Sequence, residues 1–189
     1  MKSKIALHVS PLFFGLFAWV LMHEQKGVAA GCLAASLMHE CGHLLMMFCC
    51  KAPPRTIAVG LFGMRITRDA VLTQTYMDDF WIALGGPLVN VLSCVLFYFL
   101  KKEQAFWIHA VIAGLNLLPI TPLDGGQIIL AILCQKVSRE KAVHAMCIVS
   151  CAVLFPLGVL AFLIVLQNPH NLSLLMVELY LILLMIFKR

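Results

Sequence analysis

Charge is what this chain carries least of. Of its 189 residues only 12% are charged while 62% are hydrophobic, and a soluble domain would carry roughly twice that charged share. The shortage excludes an ordinary soluble fold, because a core built from so few residues cannot hide that much apolar surface from water. A chain solvated by lipid is what remains. Cysteine pairing is lacking too. The eight cysteines include no CxxC pair, and Cys147 and Cys151, one helical turn apart, have no histidine or acidic company. They read as small apolar packing residues kept reduced, so neither a disulfide framework nor a cysteine metal site is expected. Internal repeats and low-complexity tracts are absent as well.

What the chain does have is long apolar runs. Six stand out, at residues 5–21, 28–50, 80–100, 105–133, 142–166 and 172–187, against the roughly 17 to 25 residues that a crossing helix needs. The expected fold is an all-α polytopic membrane protein of about six transmembrane helices, used up by its spans as a single intramembrane domain with no separate soluble domain at either end. The first run follows Lys2 and Lys4 in the manner of a signal peptide, but no small-residue cleavage site follows it directly, and it reads as a retained helix. The fourth run is too long for one span and is interrupted. Orientation follows from the basic residues. With both termini inside, eleven lie on the cytosolic side (Lys2, Lys4, Lys51, Arg55, Arg65, Arg68, Lys136, Arg139, Lys141, Lys188 and Arg189) and three outside (Lys26, Lys101 and Lys102). That bias places the chain in the cytoplasmic membrane with cytosolic termini. It also accounts for the net charge of +5 without any nucleic-acid partner.

Between the second and third runs, Pro53 and Pro54 end a helix. Residues 55–67 (RTIAVGLFGMRIT) are rich in Ile, Val, Phe and Thr and punctuated by Gly60 and Gly63. The pattern fits a short cytosolic β-hairpin or an interfacial loop. As a strand, it offers an edge to which an extended peptide could add.

The chemistry begins at His39-Glu40-Cys41-Gly42-His43. Two histidines four apart on a helix share a face and can reach one ion, and a glutamate beside them can take a proton from a water on that ion. This is the zinc-protease pattern, with Gly42 leaving space beside the metal. HExxH alone is a modest signal. Its position is a stronger one, because the run 28–50 centres on His39 and ionisable groups at mid-membrane face the bundle interior and mark function.

A third ligand is expected from another buried acid or histidine. Asp124 stands in NLLPITPLDGG (residues 116–126), where two prolines and two glycines must break the fourth run. Broken backbone at membrane depth persists only where protein buries it or a wet cavity receives it, so the break predicts a cavity with Asp124 facing it. Glu178, inside the last run, is the rival. His109 reads as interfacial. GGPLVN (residues 85–90) allows a kink and close helix contact, and Asn90 must hydrogen-bond inside the bundle, to a helix, a water or a substrate backbone.

Three features thus coincide in order: HECGH, GGPLVN and NLLPITPLDGG. Together they resemble the site-2 protease family of intramembrane zinc metalloproteases, most of all its compact bacterial branch, which includes a protease that processes a sporulation sigma-factor precursor. The resemblance implies Zn2+ held by His39, His43 and Asp124, with Glu40 activating water and Asn116 approaching the substrate backbone or the oxyanion. It implies a site open to the cytosol and regulated intramembrane proteolysis of a membrane-bound substrate, such as a transcription-factor precursor or an anti-sigma factor. The CBS and PDZ domains of longer members have no counterpart here, so a membrane subunit is the expected regulator. Two other readings stay open at this point: a prenyl-protein-endopeptidase-like metalloprotease with a glutamate as third ligand, and a membrane metal transporter.

Overall fold

The computed structural model describes residues 6–9, 27–60, 63–68, 75–121, 123–168 and 171–187. It divides into two compact units, Met1–Leu115 and Asn116–Arg189.

The first unit holds a three-stranded sheet and the leading helices. Strand β1 (Ala6–Val9) lies parallel to β2 (Pro54–Gly60), which pairs antiparallel with β3 (Gly63–Arg68) in a register that runs from Ala58 opposite Arg65 to Gly60 opposite Gly63. Ala6–Val9 is therefore strand, where the first apolar run was expected to be a helix. The partner that decides this lies some fifty residues away, and an apolar run carries no mark of it. The remainder of that run falls outside the described residues.

Helix α1 (Val28–Cys49) starts after Gly27, whose φ of 67° suits glycine. Its buried residues, Ala35, His39, Gly42 and Met47, recur at three-, four- and five-residue spacing and form one stripe. Helix α2 (Tyr76–Phe99) is capped by Thr75, whose hydroxyl accepts from the Asp78 amide while the Asp78 carboxylate accepts from the Thr75 amide at 2.9 Å. Its buried face includes Ile82, Gly86, Asn90 and Ser93. The two faces meet where Gly42 touches the backbone of Gly85, so tightly that a Cβ on either would collide with the other's carbonyl. Small residues at a crossing let helices in lipid approach to this degree. The contacts of His39 with Asn90, Gly42 with Gly85 and His43 with Ile82 run in opposite sequence directions, so α1 and α2 are antiparallel. Helix α3 (Glu103–Asn116) adds His109 and Ala113 to the interior.

The second unit begins where the fourth run breaks. Leu117–Leu123 separates α3 from α4 (Asp124–Cys134), since Pro119 cannot continue a helix. Gly125 and Gly126 sit directly on the carbonyls of Leu117 and Ile120, a fold-back that any side chain would block. The Thr121 amide donates to the Ser150 hydroxyl at 2.9 Å, and Ser150 donates onward to the Met146 carbonyl at 2.7 Å. These bonds satisfy exposed backbone inside the bundle. Helix α5 (Arg139–Gln167) buries Ala142, Met146, Ser150 and Leu154 at four-residue spacing, and Leu154 joins Ile120 and Leu181 of α6 (Ser173–Phe187) in one cluster.

Among the described residues, α1, α2 and α5 are long and apolar enough to cross a membrane, while α4 and α6 are shorter apolar helices. The fourth run is two helices and not one span. The distribution of polarity is that of a multi-pass membrane protein. Phe48, Leu92, Phe99 and Phe155 face outward at 58%, 59%, 76% and 76% exposure, while Asn90 and Ser150 are fully buried. Water would reverse that arrangement; lipid favours it.

The α1–α2 contact should tolerate no side chain at position 42. Gly42→Val is expected to cost about 1–3 kcal/mol through overpacking and to lower the melting temperature of the detergent-solubilised chain. An unchanged melting temperature would refute the close approach at Gly42 and Gly85.

Candidate metal centre

His39 and His43 lie one turn apart on α1 with their Nε2 atoms 3.1 Å from each other and their rings nearly perpendicular, at 82°. His39 is 5% exposed and His43 is half-buried. Each ring is fixed through its other nitrogen by α2. His43 Nδ1 donates to the Ile82 carbonyl at 2.7 Å, and His39 Nδ1 meets the Asn90 amide at 3.1 Å. Both Nε2 atoms are thus aimed at a common point.

Two nitrogens bound to one tetrahedral zinc at about 2.0–2.1 Å stand roughly 3.3 Å apart. The observed 3.1 Å is close to that separation, and a ligating histidine normally engages its second nitrogen with an amide, carbonyl or carboxylate, as both do here. The pair therefore fits a metal ion. Space beside the two Nε2 atoms comes from Gly86, where a Cβ would fall against both imidazoles. Sequence reasoning gives that role to Gly42. The structure uses Gly42 for the helix contact and Gly86 for the clearance, because α2 lies across the open side of the histidine pair.

Glu40 follows His39 on α1 and is half-buried. Asn90, for which the sequence left the partner open, is fully buried between His39 and His109, and His109 Nδ1 lies 3.1 Å from the Asn90 Oδ1. His109 was expected at the interface. It is 4% exposed and stacks on Phe97 with ring centroids 5.4 Å apart. Its signal was available in Asn90, an amide on an apolar helix that needs a polar partner on another. The Ile82 carbonyl left no trace in the sequence, since a main-chain group has no residue signature.

In the second unit, Asn116 is the last residue of α3 and Asp124 the first of α4, on either side of the break. Asp124 occupies the first turn of its helix, where the exposed amides favour a negative charge. Glu178 packs its carboxylate against Gly158 of α5.

Comparison with known proteins gives a consistent result. Residues 103–157 match the sequence model of peptidase family M50. Stage IV sporulation protein FB of Bacillus subtilis (strain 168) is 22% identical over 147 residues, which cover 73% of this chain and 51% of that protein. The chain thus spans about half the length of this curated relative. The site-2 protease from Methanocaldococcus jannaschii superposes with a TM-score of 0.67 at 18% identity, over 96% of this chain and 88% of that one. The resemblance carried by HECGH, GGPLVN and NLLPITPLDGG is upheld. These matches give a segment similar to peptidase family M50 and a fold shared with a site-2 protease.

A methyl group at position 86 should close the clearance. Gly86→Ala is expected to reduce bound zinc at least about tenfold, the scale of a disturbed metal environment, with helical content by circular dichroism unchanged. Full zinc occupancy would show that the clearance is not where the ion enters.

Proposed function

The chain carries an M50 peptidase segment on the fold of a site-2 protease, and we propose that it hydrolyses a peptide bond within or near a transmembrane segment of a membrane-bound substrate. The observation that carries this reading is the His39–His43 pair, held by α2 with both Nε2 atoms converging.

We take the ligands to be His39, His43 and Asp124, which offer two imidazole nitrogens and a carboxylate oxygen. That donor set leaves a fourth position open, as catalytic zinc requires. When bound, zinc would polarise the scissile carbonyl and acidify the attacking water. Glu40 accepts the proton of that water as its oxygen joins the carbonyl carbon, then passes it to the amine as the carbon–nitrogen bond breaks. Asn116 is assigned the approach to the substrate backbone or the developing oxyanion, as the family resemblance implies. His39, Glu40 and His43 come from the first unit and Asn116 and Asp124 from the second, so both units are read as one catalytic domain.

A helical substrate hides its carbonyls in its own hydrogen bonds and must unwind before attack. Strand β3 ends the sheet order β1-β2-β3, and its outer edge suits capture of the extended segment. The excess of basic residues around this sheet favours a cytosolic position for it and for the opening of the site. Substrates of this geometry include transcription-factor precursors and anti-sigma factors held at the membrane, and a membrane subunit is the natural regulator.

In vesicles, Glu40→Gln is expected to lower cleavage by about 10²–10⁴-fold, the scale of general-base catalysis, with zinc content near wild type. Loss of zinc together with activity would make Glu40 structural. The same variant should retain uncleaved substrates in native membranes, where co-purification identifies them. Asp124→Asn should reduce zinc per chain at least about tenfold, and unchanged zinc would remove Asp124 from the ligand set in favour of Glu178.

A further inference from the structure

Thr121 lies in the break between α3 and α4, and each of its polar atoms is engaged. Its amide donates to the Ser150 Oγ at 2.9 Å, and its own Oγ1 meets the same oxygen at 2.8 Å. Its carbonyl accepts from the Gln127 Nε2 at 2.5 Å. Ser150 is fully buried and donates to the Met146 carbonyl on its own helix. One residue of the broken segment is thus held by two helices, α5 through Ser150 and α4 through Gln127.

Asp124 stands midway between Thr121 and Gln127, three residues from each. The side chain of Gln127 therefore closes a loop around it. Two backbone bonds brace that loop from within: the Leu123 amide donates to the Ile120 carbonyl at 2.8 Å, and the Gln127 amide to the Leu123 carbonyl at 3.1 Å. Ile120, where the loop begins, is fully buried against Leu154 and Leu181. We propose that Ser150 and Gln127 are positioning residues that fix the Asp124 carboxylate for the metal. Gln127 sets the shape of the loop, and Ser150 anchors it to α5. The inference rests on the reading of Asp124 as the third ligand.

Residue types follow from this role. A metal-binding constellation has to be held within about 0.5 Å of its working geometry. Gly125 and Gly126, which follow Asp124, carry no side chains to lock it by packing. They let the loop fold onto the carbonyls of Leu117 and Ile120, and hydrogen bonds of restricted length and angle then hold it there. A hydroxyl suits position 150 because it accepts from the Thr121 amide while donating elsewhere. Alanine would leave that amide without its partner inside the bundle, free to shift in search of another. A glutamine suits position 127 because its amide nitrogen reaches back to a carbonyl that would otherwise face the gap in the helix.

The test is the affinity of the full-length, detergent-solubilised chain for Co2+ and Zn2+, measured by competition with a chromogenic chelator, together with the visible spectrum of the Co2+ form and the melting temperature. Ser150→Ala and Gln127→Leu should each weaken binding about tenfold, the lower end of the range for a lost outer-shell partner, and alter the Co2+ spectrum. Thr121→Ser keeps all three contacts and should stay within about threefold of wild type. Met146→Ala removes a fully buried side chain one turn away on α5 but keeps the carbonyl that Ser150 uses. It should lower the melting temperature with affinity and spectrum preserved. Wild-type affinity and spectrum in either Ser150→Ala or Gln127→Leu would overturn the proposal. So would a Met146→Ala chain as weak as Ser150→Ala, which would reduce the effect to general stability. If alanine at 150 prevents folding, Gln127→Leu, at an exposed position, decides alone. Failure of the ligand reading is distinguishable: Asp124→Asn would then bind as wild type does and overturn both, whereas a weak Asp124→Asn beside a wild-type Ser150→Ala overturns only the positioning.

Discussion

The geometry of the histidine pair depends on how closely α1 and α2 approach at Gly42 and Gly85. Backbone rests on backbone there, and the approach brings the Ile82 carbonyl and the Asn90 amide within hydrogen-bonding reach of the two imidazoles. Bulkier residues at the crossing would hold α2 away, and the rings would lose the contacts that orient them. The helices gain packing from the glycines, and the site gains two fixed nitrogens from the same contact.

Lipid makes such an interior possible and demanding at once. Apolar side chains gain nothing from leaving a lipid environment, so the outward surface can be phenylalanine and leucine while the polar groups concentrate inside. Each buried polar group then needs a partner. In the first unit the run from His109 through Asn90 to His39 and His43 meets that demand. In the second, Ser150 does so for the broken segment by accepting from Thr121 and donating to Met146. Interiors of this kind are rigid because no partner is free to leave.

Much of this was legible in the sequence, for identifiable reasons. HECGH is legible because helical periodicity alone puts His39 and His43 on one face. The break before Asp124 is legible because Pro119 and the two following glycines cannot continue a helix of their own accord. The strand at Ala6–Val9 was not, since an apolar run looks the same whether it will wind or pair with β2. His109 was misplaced at the interface because its partner lies on another helix, and no spacing rule within α3 points to Asn90. The clearance was assigned to Gly42 and belongs to Gly86, since two glycines on facing helices cannot be told apart before the helices are docked.

The ends of α1 and α2 share a further feature. Each closes with a lysine in the left-handed region, Lys51 and Lys101, both with φ of 54°, in the turn where glycine is usual. The bonds around them repeat: the amides of Ala52 and Lys102 each reach back to a carbonyl five residues earlier. Glycine would relieve the strained backbone but has no ammonium group to reach phosphate headgroups, as lysine does. Because the helices are antiparallel, these two lysines mark opposite ends of the pair. His39 lies ten residues before the end of α1, roughly 15 Å along the helix or half the hydrocarbon thickness.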